Sequence, residues 1–294
     1  MFPFMRKISL AGTVDSFDVF QKLVKEYHEP VENVIRTRLS TEVLTNPDKY
    51  SGAKEVLDEI LRSSVMRLQT LIPGASIFWD DHVDMPKAYD TYPRVIVDVV
   101  DGARNLQGGG TDVTSTLVVV DEKGNMPLSI ISYPFGVERI VDFDGDVYRL
   151  PNSLMEHRIG FARGIIEDYR LHPRREKRSI ASLRLAERYD HFDDPRRERI
   201  DALRPEVRSY VREAGSISQM MMKVVTASCD AFITQRREPI HYFDYVAPAK
   251  IIHDLQGCVT DLDGNSIEGD AEEVNGLVVA SRKRTHTMFM KALH

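Results

Sequence analysis

Apolar residues recur at helical spacing over the first part of the chain. Val19, Leu23, Tyr27, Val31, Val34 and Ile35 fall on one face, which predicts a long first helix from about Asp15 to Arg38. Val56, Ile60, Leu61, Val65 and Leu68 repeat that period and predict a second helix from Ser51 to Leu71, with Ser51 as its N-cap. The period then changes. The β-branched runs Arg94 to Val97 and Thr114 to Val120, with Pro127 to Tyr133 and Glu138 to Phe143, predict an antiparallel meander, turning at Asp121-Glu122-Lys123-Gly124-Asn125 and at Asp144-Gly145. Beyond Pro151 the spacing predicts helices near Leu154 to Glu167, Ile180 to Tyr189, Arg197 to Ala214 and Ser218 to Ala227. A strand over Asp230 to Ile233, a helix over Val246 to Leu255 and a strand over Gly257 to Thr260 follow. This alternation defines an α/β half after an antiparallel half, with the division at residues 1–152 and 153–294.

Composition narrows the class. At 294 residues, with 42% hydrophobic and 29% charged residues, the chain has material for one large core or two closely packed halves. No apolar run approaches the roughly 20 residues that cross a bilayer. The start, Met1-Phe2-Pro3-Phe4-Met5-Arg6-Lys7, lacks a secretory apolar region, so a cytoplasmic protein without a membrane partner is expected. A net charge of -6 argues against a nucleic-acid partner, and the arginine-rich stretch from Arg170 to Arg212 mixes signs as a solvated helix surface does. Cys229 and Cys258 have no histidine at zinc-ligand spacing and are expected as buried free thiols.

The chemistry-bearing stretch is Asp98-Val99-Val100-Asp101-Gly102-Ala103-Arg104-Asn105, where two carboxylates three apart stand at the point where an apolar strand meets a glycine turn. Paired Asp oxygens suit a hard cation such as Mg2+, and the amides after Gly102 are placed to meet a phosphate. An Asp-Gly pair that merely turns the chain is the alternative. A metal site needs further acids, and Trp79-Asp80-Asp81-His82 and Phe243-Asp244-Tyr245-Val246-Ala247 supply them at apolar boundaries. Asp261-Leu262-Asp263-Gly264-Asn265 opens like a calcium loop, with Glu272 at the twelfth place, but Ser266 stands where the loop requires glycine, and a hairpin turn is expected. Gly108-Gly109-Gly110 is a loop able to approach a ligand, or a bulge or linker.

With these segments the chain resembles the inositol monophosphatase superfamily of Mg2+-dependent, lithium-sensitive phosphatases, which includes fructose-1,6-bisphosphatases. Asp98-Val99-Val100-Asp101-Gly102-Ala103 is similar to its Asp-Pro-Ile/Leu-Asp-Gly-Thr motif, and Phe243-Asp244-Tyr245-Val246-Ala247-Pro248-Ala249 to its Trp-Asp-x-Ala-Ala-Gly motif. Leu255-Gln256-Gly257-Cys258-Val259-Thr260-Asp261 and Gly215-Ser216-Ile217-Ser218 resemble two further segments. The resemblance implies a layered αβαβα sandwich of the sugar phosphatase type. The first half would carry most metal ligands, and the second Asp244 and the substrate side.

Carried over by position, Asp98, the Val100 carbonyl, Asp101 and Asp244 would hold Mg2+. Asp80, or failing it Asp81, would bridge metal and attacking water, and Asp48 would help hold a further ion. Gly102, Ala103, Arg104, Gly215, Ser216 and Thr234 would border the substrate. The resemblance implies a homodimer and hydrolysis of a small sugar, polyol or inositol phosphate monoester.

The departures are specific. Ala103 replaces the threonine whose hydroxyl orients water, Val99 the proline, Phe243 the tryptophan and Ala249 the glycine, while Thr234 stands where a substrate-contacting acid is usual. They leave open a divergent member with altered or lost catalysis, one that binds a phospho-ligand or catalyses another biosynthetic reaction.

Overall fold

The computed structural model describes residues 16–39, 50–79, 93–103, 105, 111–136, 138–152, 169–173, 179, 181, 183–189, 195–212, 216–267 and 273–294. The chain divides into two compact units, Met1–Arg170 and Leu171–His294. The expected helix over Leu154 to Glu167 lies outside the described residues.

In the first unit the long first helix forms, but not as one regular α-helix. α1 (Ser16–Leu23) passes into a π-helical turn, Val24–His28, then α2 (Glu29–Val34) and a second π-helical turn, Ile35–Leu39. Pro30 accounts for the first wide turn: it has no N–H, and its ring would meet the carbonyl of Glu26 in a regular helix. Val19, Phe20, Leu23, Val24, Tyr27, Val31 and Ile35 are nevertheless all buried, so tertiary packing holds the helix together across its irregular turns. α3 (Tyr50–Leu71) includes Ser51, the expected N-cap, within its first turn.

The sheet beside these helices has the order β1-β2-β3-β4-β5-β6. Its strands are β1 (Ser76–Phe78), β2 (Arg94–Asp101), β3 (Thr114–Val120), β4 (Leu128–Ser132), β5 (Glu138–Phe143) and β6 (Asp146–Pro151). From β2 onward it is the expected meander, while β1 joins β2 in parallel, and β6 extends the sheet past the Asp144-Gly145 turn. At the β3–β4 turn Asp121 Oδ1 accepts from the amides of Lys123 and Asn125, both at 2.8 Å. Val95, Val97, Val99, Leu117, Val119, Ile130 and Val141 pack with the first-helix residues into one core.

That core encloses charge. Arg139 of β5 grips Glu32 of α2 through Nε at 3.2 Å and Nη2 at 2.7 Å, and both side chains are buried. Beside them the Nδ1 of buried His28 lies 3.0 Å from the Ser132 hydroxyl. A two-toothed arginine–carboxylate pair satisfies both charges where water is absent.

The second unit builds a sheet of order β10-β11-β9-β7-β8. Here two expectations fail. Ile180 to Tyr189 is not a helix; Arg184–Tyr189 is strand β7, parallel to both β8 and β9. The helix expected over Arg197 to Ala214 stops early: α4 covers Pro195–Leu203, and Ser209–Arg212 is strand β8. In both stretches arginine and glutamate favour helix locally; the pairing of Leu185 and Ala186 with buried Ala231 and Phe232 of β9 overrides that preference in β7, and pairing with β7, Tyr210 opposite Leu185, overrides it in β8.

α5 (Ile217–Val225), β9 (Ala231–His241), α6 (Tyr242–Asp254) and β10 (Cys258–Thr260) fall where helix, strand, helix and strand are expected. β11 (Glu273–Ala280) and α7 (Lys283–Leu293) complete the unit. Leu185, Ile200, Leu203, Ile233, Leu262, Val278, Phe289 and Leu293 form its core. Asp261 Oδ1 accepts from the amides of Asp263 and Asn265, and Oδ2 from the Asn265 side chain, so the calcium-loop look-alike is a self-bonded turn. Both cysteines are free thiols; Cys229 is buried, but Cys258 is only partly covered.

His28 makes stability depend on pH. Burial, with the neighbouring Arg139 charge, pushes its pKa from 6.5 down to about 3. The folded state resists the proton that the unfolded chain accepts, so this contribution is whole above pH 6.5 and is lost progressively as pH falls toward 3. At about pH 5 the loss is about 2 kcal/mol. Urea unfolding at pH 7 and pH 5 should show a difference smaller by about that amount in His28→Asn than in wild type.

Candidate active site

The end of β2 is shaped by its ladder to β3. Asp98 stands opposite Thr116, and Asp101 opposite Thr114, with a register shift between them. Three steps along β2 thus match two along β3. One extra residue is a β-bulge, and it reverses the alternation beyond it. Without it, side chains three apart would point to opposite faces. With it, Asp98 and Asp101 share the face of Thr114 and Thr116, while Val99 packs into the core behind.

Both carboxylates are nearly covered, at 5% and 7% exposure, which excludes a solvated strand end. The Val100 amide donates to Asp98 Oδ1 at 3.1 Å, fixing that side chain against the bulge. Gly102 then turns the chain at φ 91°, a conformation open to glycine, and accepts the Asn105 amide at 2.8 Å. The Asn105 side chain donates to the Asp112 carbonyl at 2.9 Å and so closes the loop between β2 and β3. Ala103 is half-buried in this turn.

Asp244 is the third residue of α6. Its Oδ2 accepts the His241 amide at 3.2 Å, while the His241 side chain accepts from the Asp244 amide, which makes a reciprocal cap on the helix. Its carbonyl accepts the buried Ser218 hydroxyl at 2.8 Å, tying α6 to α5. Asp98 and Asp101 each offer one carboxylate oxygen to a metal ion, and the two oxygens lie within 4.8 Å of one another. Like charges gathered so closely and so covered favour a cation among them, and an all-oxygen donor set suits a hard one.

Of the remaining candidates, Ser216 caps α5, its Oγ accepting the Gln219 amide at 3.0 Å, and is fully buried. Thr234, on β9, is also fully buried, and its hydroxyl has no hydrogen-bond partner among the described residues. Asp48, Asp80, Asp81, Arg104, Gly215 and the Gly108-Gly109-Gly110 loop lie outside the described residues. Sequence reasoning named Thr114, with Thr111, as another source of the hydroxyl absent at Ala103, and missed Ser218, Thr116 and His241. Only His241 carried a signal, since it precedes Asp244 by the three residues of a capping box.

The strands and helices make an α+β fold, and the comparisons place the chain. The family model described as the inositol monophosphatase family matches residues 15–294. Similar solved structures include an inositol monophosphatase from Thermotoga maritima, 19% identical, TM-score 0.68, covering 95% of this chain and 97% of that one. The extragenic suppressor protein suhB from Bartonella henselae is 16% identical, TM-score 0.67, with 94% and 98% covered. The staphylococcal inositol monophosphatase-II with 2'AMP bound is 13% identical, TM-score 0.67, with 94% and 92% covered. None of the curated proteins matches the chain in sequence. This chain belongs to the inositol monophosphatase family.

Replacing Ser216 by alanine leaves the Gln219 amide at the buried start of α5 without its acceptor. Stability should fall by about 1 kcal/mol, read as a lower midpoint in urea unfolding at constant slope.

Proposed function

We propose that the chain is a Mg2+-dependent phosphatase that hydrolyses a small sugar, polyol or inositol phosphate monoester. The observation that carries this reading is the covered pair of Asp98 and Asp101, whose donor oxygens lie within 4.8 Å of one another. Family membership supports the reaction class. Two similar structures, staphylococcal inositol monophosphatase-II with 2'AMP and SaIMPase-II with inositol monophosphate, support a small phosphorylated ligand. No described helix is long and apolar enough to cross a membrane. A cytoplasmic setting and a homodimer complete the proposal and rest on the sequence reading alone.

Phosphate monoester hydrolysis is slow because water is a poor nucleophile and an alkoxide a poor leaving group. Bound Mg2+ would supply a lowered water pKa and neutralisation of phosphate charge. Asp98, Asp101 and Asp244 would hold it through carboxylate oxygens, with the Val100 carbonyl beside them, and Asp48 and Asp80 or Asp81 as further ligands. Asp80, with Asp81 as the alternative, would take the proton of the attacking water. The Gly102, Ala103 and Arg104 amides would face the phosphate, and Gly215, Ser216 and Thr234 would border the rest of the substrate.

Titration calorimetry with Mg2+ tests the ligands. Asp98→Asn and Asp101→Asn each remove a ligand charge but little volume, so the fold should persist while affinity drops by more than about 100-fold. Unchanged affinity in both would reduce the two residues to turn formers.

Ala103 generates a second prediction. A hydroxyl that helps move a proton contributes about 10²–10⁴ in rate, and Ala103 has none, so wild-type turnover should be low. Ala103→Thr should raise phosphate release at saturating Mg2+ by about 10²-fold if the hydroxyl is missing. Thr114, which stands opposite Asp101 on the same face, is the other source of a hydroxyl. If it serves, Thr114→Ala loses activity and Ala103→Thr gains none. Metal binding with no rate response in either variant would favour a phospho-ligand binder.

A further inference from the structure

We infer that His241 is a positioning residue for the metal ligand Asp244, acting through the cap of α6; this role rests on the metal reading above. Asp244 would do two things at once: as a ligand in the reading above it would offer an oxygen to the metal, and its Oδ2 accepts the His241 amide at 3.2 Å. The second contact matters for the first. A carboxylate on a helix's first turn rotates about two side-chain bonds, and anchoring one oxygen fixes the direction of the other.

The anchor holds only while the backbone at residue 241 keeps its extended conformation, at φ -80° and ψ 157°, and the His241 side chain maintains it by accepting the Asp244 amide. The imidazole is itself constrained. His241 stands directly across the β9–β11 ladder from Glu273, and its ring stacks on Phe243 with centroids 5.2 Å apart. The chain of constraint therefore runs from the packed histidine ring to the cap, and from the cap to the carboxylate. Second-sphere groups of this kind typically change metal affinity by about 10–100-fold.

The test uses the full chain and Mg2+ alone. In His241→Ala, calorimetry should show affinity reduced about tenfold, and the Asp244 amide should exchange with solvent at least about tenfold faster without metal. His241→Asn, which caps a helix as well as any residue, should restore both to within about threefold of wild type. Should His241→Ala not fold, His241→Leu, which fills space but cannot cap, carries the same expectation. Wild-type binding with equal affinity in the non-capping variant overturns the positioning role alone, as does an asparagine variant that caps but binds weakly. Absence of Mg2+ binding in the wild type overturns the metal reading and this role with it.

Discussion

The candidate site depends on one local constraint, the extra residue in β2 between Asp98 and Asp101. A regular strand cannot place side chains three apart on one face, and a strand without its hydrogen-bond ladder would not hold them still. The bulge satisfies both requirements. It keeps Val99 in the core as the strand's anchor and turns two carboxylates to the side of Thr114 and Thr116. It also ends the strand at the place where Gly102 must adopt positive φ, so the turn and the acidic pair are one construction. Burying two acids in this way is destabilising without a cation or strong donors, and a fold bears that cost where function demands it.

The helix side of the same sheet carries a different polar structure. Glu32 and Arg139 neutralise each other in the core, and His28 stays uncharged beside them. Such a pair contributes little net stability against a well-packed apolar alternative, but it penalises any register in which one partner lacks the other. The first helix needs that penalty. Its two π-helical turns allow it to slide or rewind at small cost, whereas an arginine fork closing on Glu32 at two points does not.

Much of this was legible in the sequence where one physical signal acted alone. The meander was readable because alternating β-branched runs met turn residues of fixed type, and the Asp121 and Asp261 turns form the side-chain-to-backbone bonds that their composition implies. The acidic group was readable through motif resemblance; its geometry was not, because a bulge leaves no mark in residue order. The misread elements are those in which local preference and long-range pairing disagree. Arg184–Tyr189 and Ser209–Arg212 look helical to a local reading, and become strands because β9 pairs with the first and the first in turn pairs with the second, partners that no window of neighbouring residues contains. Pro30 was visible throughout, but its consequence, a widened turn instead of a break, follows from the buried face on both sides of it.

The substitutions at the two motifs separate into kinds. Val99 for proline and Phe243 for tryptophan keep an apolar group at a buried position and alter only its shape. Ala103 differs in kind, since it removes a polar group from a half-buried turn and leaves the backbone course intact. Covering Asp98 and Asp101 on one face costs stability without a cation, whereas the cap at Asp244 stabilises the start of α6 by itself. The covered acids and the missing hydroxyl fit the proposal that metal holding persists while another group would orient the water. Thr114, on the same face and opposite Asp101, would be a described residue placed to do so.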